Sequence, residues 1–157
     1  MFRVAVCALA LLIAAAAPAI AQDEQTIYVQ EDDPVMIAAI AAARATLPEF
    51  WVHFANPGKD EGDFHLKVGI TEGGQVEHLW CDEILGDWRG ASCVIANEAE
   101  ILRTVGLGDR ILVNADAISD WMYIVDGKIR GARTLRAMLP HLTPEEAAAY
   151  EQLLLDR

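Results

Sequence analysis

Phe64-His65-Leu66-Lys67-Val68-Gly69-Ile70 decides the class of this fold. Its apolar residues (Phe64, Leu66, Val68, Ile70) alternate with His65, Lys67 and Gly69. Successive side chains on a strand point to opposite faces, so this alternation predicts a half-buried strand. Gly73-Gly74 then turns the chain into a second strand, Val76–Cys81. Leu79–Glu83 and Ala91–Ile95 read as the arms of a hairpin turning near Asp87. Gly108-Asp109 leads into a strand over Arg110–Asn114. Asp126-Gly127, the strongest hairpin signal in the chain, joins Trp121–Val125 to Lys128–Gly131.

Helices bracket these strands. Asp33 caps the first, and Pro34 takes its first position. It runs through VMIAAIAAARATL (35–47), with Met36, Ile40, Ala43 and Leu47 as its stripe, and ends before Pro48. A short second helical piece brings Phe50, Trp51 and Phe54 onto the core. Asn97 with Glu100 three residues on predicts a capping box and a short inserted helix, closed by Arg103 and Gly106. Thr134–Leu139 makes a helix stopped by Pro140. Thr143-Pro144-Glu145-Glu146 starts the last one, with Tyr150, Leu153 and Leu154 on its packing face. The expected fold class is α+β: a single domain over 33–157, an N-terminal helix packed on a twisted, mostly antiparallel sheet of five or six strands, a short inserted helix and C-terminal helices.

The N-terminus carries a different message. Arg3 precedes the uncharged run VAVCALALLIAAAA (4–17), Pro18 breaks it, and Ala19-Ile20-Ala21 offers a cleavage site. Charged start, short apolar stretch and A-x-A site make residues 1–21 a secretory signal peptide. Cleavage after Ala21 leaves a polar flexible leader, 22–32, and a periplasmic or secreted domain. An uncleaved anchor exports the body equally, because Arg3 stays inside. Cys7 lies too early in the apolar run to read as a lipoprotein site.

The 157-residue chain has 12 basic and 24 acidic side chains, a net charge of −12. Loss of residues 1–21 removes only Arg3 among them, giving −13 over 136 residues. Such a balance excludes nucleic acid, which needs clustered Lys and Arg, and disfavours anionic membrane surfaces. Export places Cys81 and Cys93 in an oxidising space, and the hairpin register sets them opposite each other, so a disulfide is expected.

Several stretches taken in order resemble a known family: Asp33-Pro34 with ARATLPEFW (43–51), FHLKVGI (64–70), VEHLW (76–80), Asn97-Glu98, GLGDRILV (106–113) and ISDWMYIVDGKIRGARTLR (118–136). Over about residues 32–139 the series is similar to the YegJ-like family, an uncharacterised bacterial family catalogued as a domain of unknown function. The resemblance implies an exported domain of a kind also found attached to ankyrin repeats. It implies no activity or catalytic residue. The family pattern has an aliphatic residue where Cys81 stands, so the resemblance adds nothing to the disulfide.

Catalytic signatures are sparse. Glu77 and His78 are strand neighbours on opposite faces and do not act jointly as acid and base; Asn97 is the remaining candidate. Cys81 and His78, three apart, also lie on opposite faces. His53, His65, His78 and His141 are scattered without metal-ligand spacing, so no metal and no cofactor is expected. Gly106-Leu107-Gly108 lacks a phosphate-loop context, and Ser119 lacks a nucleophile-elbow setting. Trp80, Trp88, Trp121 and Tyr123, with Asp120 beside them, form a recognition surface or ordinary core. Trp88 stands at a hairpin tip between Asp87 and Arg89, where burial is difficult. The reading is a periplasmic binding or protein-interaction module with contact residues Trp88, Trp80, Trp121 and Asp120, acting on a protein or small-molecule partner in the envelope. The alternatives are an inhibitor or immunity-type protein covering a basic partner, and a hydrolase-like enzyme using His78.

Overall fold

Asp33 starts the first helix, α1 (Pro34–Ala55), by accepting the backbone N–H groups of Val35 at 2.7 Å and Met36 at 3.1 Å. The computed structural model describes residues 3–4, 27–28 and 33–155. The expected signal peptide and leader lie outside these residues, apart from Arg3–Val4 and Ile27–Tyr28, which pair with each other, Arg3 running parallel beside Glu77. Contrary to expectation, α1 does not end before Pro48 but runs through it to Ala55. A mid-helix proline costs about 3 kcal/mol. Packing of the following turn offsets it, since Phe50 is fully buried against Trp51, Phe54, Phe64 and Trp121.

Six antiparallel strands follow: β1 (Glu61–Glu72), β2 (Gln75–Asp87), β3 (Gly90–Ile95), β4 (Arg110–Val113), β5 (Ile118–Val125) and β6 (Lys128–Gly131). Their order is β4-β3-β2-β1-β5-β6. In a flat sheet β4 and β5 would stand about 19 Å apart, at ~4.8 Å per strand. Only Asn114 and the 3-10 turn it caps, Ala115–Ala117, join them, so the sheet curls on itself. The long strands bend to allow this: β2 pairs β1 up to Cys81 and β3 beyond it, with an irregularity between Asp82 and Leu85.

One face of the curl packs on α1. Leu66, Val68, Leu79, Ile118 and Trp121 meet Ala43 and Phe50 there, and the Trp121 indole N–H donates to the Ala43 carbonyl at 3.0 Å. The opposite face is closed as well, by α2 (Arg133–Met138), with Met122, Ala132 and Leu135 packed together. The half-buried reading of β1 is therefore corrected: His65 and Lys67 are buried alongside Leu66 and Val68. A last helix, α3 (Pro144–Leu153), has the expected capping box between Thr143 and Glu146. Tyr150 and Leu154 pack, while Leu153 is exposed.

The helix expected over Asn97–Arg103 does not form. Residues 96–109 make a loop whose N–H groups are taken by carboxylates from β1 and β2 instead of by helical carbonyls. The Cys81–Cys93 disulfide is present, with Cα atoms 5.6 Å apart. Its register differs from expectation: Cys81 lies opposite Ile95, and the bend after Asp82 brings Cys93 diagonally onto it.

Candidate functional site

The most chemically dense region is the face of β1, β2 and β5 beneath α2. Register places Lys67 opposite Asp120 and His78 opposite Gly69. Asp120 is fully buried and acts as the acceptor at the start of α2: it takes the N–H groups of Thr134 at 2.7 Å and Arg133 at 3.2 Å, the Thr134 hydroxyl at 2.7 Å and the Trp121 N–H at 2.9 Å. Burial raises its carboxyl above the ordinary range, against these hydrogen bonds and Lys67. The Lys67 ammonium donates to Thr134 Oγ1 at 3.2 Å and lies 5.3 Å from the centre of the Trp80 ring. Burial lowers it to about 8, with Asp120 opposing.

His78 Nδ1 is 2.8 Å from Ser119 Oγ, and that hydroxyl donates to the Lys67 carbonyl at 3.2 Å. The imidazole is therefore the donor to Oγ, which fixes the Nδ1-protonated tautomer. Burial first, then Lys67 and Arg44, lowers His78 to about 4, so it is neutral. Gly69 makes room for the ring, since a Cβ there would come within 2.9 Å of His78 Cε1.

Glu77 points the other way, as expected. Its carboxylate takes the N–H groups of Glu100, Ile101 and Leu102 at 2.8, 2.9 and 3.1 Å and thereby shapes the 96–109 loop. Asn97 accepts the Trp80 N–H at 2.7 Å and donates to the Glu98 carbonyl at 3.0 Å. His78, Glu77 and Asn97 do not converge; each is buried and engaged by the scaffold. Two of the expected contact residues are likewise corrected. Trp121 and Asp120 are interior, and Trp80 is half-buried over Lys67, so none of the three shares a surface with Trp88. Among the described residues, no group of three His, Cys, Asp or Glu side chains is placed to hold a metal.

Trp88 stands elsewhere. Asp87 pairs with Gly90, which leaves Trp88-Arg89 as a two-residue tip. Gly86 permits the close strand approach behind it: its φ is +107°, and any Cβ would collide with the Gly90 carbonyl. The Trp88 side chain is 62% exposed, and the Arg89 guanidinium lies 5.1 Å from its ring centre. Between this tip and the outer face of α1 lies a groove of about 590 Å³, walled by Leu47, Pro48, Trp51, Val52 and Ala55 opposite Trp88. Arg44 lines it too. A smaller cleft continues beneath Trp88 towards Val113 and Ile118. The volume falls in the range of small-molecule sites, roughly 300–1,000 Å³, which are concave and mostly apolar.

Sequence reasoning identified the tip residue and missed the wall. Positions 47, 48, 51, 52 and 55 recur at helical spacing and make a second apolar stripe on α1, with Arg44 one turn before it. That signal is visible only when the helix continues through Pro48.

The chain matches, over residues 33–155, the family described as "Uncharacterized protein conserved in bacteria (DUF2314)". It is 33% identical to the uncharacterized protein YegJ of Escherichia coli K12 over 116 residues, which cover 74% of each chain. It is 31% identical over 137 residues to a Neisseria meningitidis serogroup B protein named for ankyrin repeats. That match covers 82% of this chain but only 54% of the relative, so the chain spans about half of that protein. No solved structure matches. The chain belongs to this YegJ-like family.

Proposed function

We propose that this family member is an exported binding module that takes an apolar ligand in the groove between α1 and the Trp88 tip. One observation carries the reading: a large aromatic, 62% exposed, faces a wall of apolar side chains across about 590 Å³. Exposing an indole to water is unfavourable unless something covers it, and aromatic anchors in concave sites are the usual centres of binding energy. Export is supported by the pattern of residues 1–21 and by a disulfide of the kind that persists in oxidising compartments. The inhibitor reading rests on net charge alone, and His78 lines neither cavity.

The test is titration of the protein lacking residues 1–21 with N-phenyl-1-naphthylamine, a neutral apolar dye whose emission rises on burial. Saturable binding is expected, weakened roughly tenfold or more in Trp88→Ala, as removal of an aromatic anchor implies. The variant should keep its melting temperature, because the side chain is exposed. Equal affinity in wild type and variant would overturn the proposal.

A further inference from the structure

Arg44 is an unusual member of the groove. Its Nε donates to the Ile118 carbonyl and its Nη2 to the Asp116 carbonyl, each at 2.9 Å. Two neutral acceptors hold the guanidinium still without cancelling its charge. Arg89, Arg110 and Arg130 each face a carboxylate, at 3.7, 3.0 and 2.5 Å, whereas Arg44 forms no ion pair among the described residues. A guanidinium has five N–H donors in a planar fork that suits a carboxylate, and two are in use here. In a chain of net charge −12, a cation that lines an apolar groove and has no carboxylate partner among the described residues is complementary to one negative charge on an otherwise apolar body.

We propose that the ligand is an apolar monocarboxylate, its head on Arg44 and its chain between Trp51 and Trp88. This deepens, and rests on, the reading of the groove as a binding site. The remaining walls suit a hydrocarbon body. Leu47, Pro48, Val52, Ala55 and Ala115 offer no side-chain hydrogen-bonding group, so an extended peptide whose backbone faced them would find no side-chain partner there for its N–H and C=O groups. A multiply charged anion would meet the acidic surface with only one cation in the groove to receive it. A hydrocarbon chain ending in a carboxylate needs only what the groove supplies.

The experiment displaces bound N-phenyl-1-naphthylamine with three competitors at pH 8: decanoate below its micelle-forming concentration, decanol, and the uncharged tripeptide N-acetyl-Leu-Leu-Phe amide. Decanoate should displace the dye at a concentration about tenfold or more below decanol, the preference a charge-assisted carboxylate contact confers. Arg44→Gln should abolish that preference and leave decanol unchanged, and Arg44→Lys should keep part of it. Both variants are checked for an unaltered far-ultraviolet dichroism spectrum, and the wild-type comparison needs no variant. Equal displacement by decanoate and decanol would overturn the carboxylate assignment while the groove reading stands. Displacement by the tripeptide but not decanoate would also overturn it. Absence of dye binding from the outset would overturn both.

Discussion

His78 shows at the residue scale how this protein uses its buried polar groups. The ring is neutral in the folded chain, held at about 4 against an ordinary 6.5. Between those pH values the unfolded chain binds a proton that the folded one does not, so stability rises with pH across the window. It is lost as pH falls from about 6.5 to about 4, by on the order of 3 kcal/mol for such a gap. His78→Gln keeps a donor for Ser119 and removes the titration. Urea unfolding at pH 7 and pH 4.5 should therefore show a smaller acid loss in the variant; an identical loss would contradict the account. Lys67 acts with the same sign at the alkaline end: lowered to about 8 from 10.5, it makes the fold more stable as pH rises across that interval. These roles were only half legible. The alternation around Phe64–Ile70 separated the faces correctly, but nothing local to Lys67 or His78 announces that α2, more than fifty residues on, will close over them. Asp120 was misassigned for the same reason, because its partners Arg133 and Thr134 come from the next element but one.

At the scale of elements, the β2–β3 hairpin sets the position of Trp88. Three devices fix it: the irregularity after Asp82, the tight approach at Gly86 and the Cys81–Cys93 bridge. The bridge closes a short loop, twelve residues apart in sequence, for which chain-entropy reasoning gives about 3 kcal/mol. The double variant Cys81→Ala/Cys93→Ala should lose stability of that order in urea, and its dye affinity should fall with the tip no longer held. Unchanged stability would mean that the bend stands without the bridge. The pairing was predicted from a register that proved wrong by two residues, since a bulge re-aims side chains without leaving a strong mark in the sequence. Pro48 and Asn97 misled in opposite directions. Local rules ended α1 at the proline, where the Phe50 cluster overrides them. They also started a helix at Asn97, whose side chain is instead drawn to the Trp80 N–H while Glu77 takes the following amides.

For the whole molecule, the curl of the six-stranded sheet connects fold to proposed function. Because β4 returns to β5 through only four residues, 114–117, the hairpin tip is carried round to face α1, and a groove opens between elements nearly forty residues apart in sequence. The α+β class was legible from strand alternation, glycine turns and caps. The groove was not, because it depends on that closure. It places Trp51 and Val52 of α1 opposite Trp88 and leaves Arg44 beside them, a cation whose bonds among the described residues go to carbonyls. Amide chemical-shift mapping on addition of decanoate shows whether ligands bind in this groove. Shifts concentrated at Arg44, Leu47, Trp51, Val52 and Ala115, with the Trp88 indole N–H moving alongside them, are the predicted result. Shifts that instead cluster around His78, Lys67 and Thr134, or that spread without reaching the Trp88 indole, would contradict it.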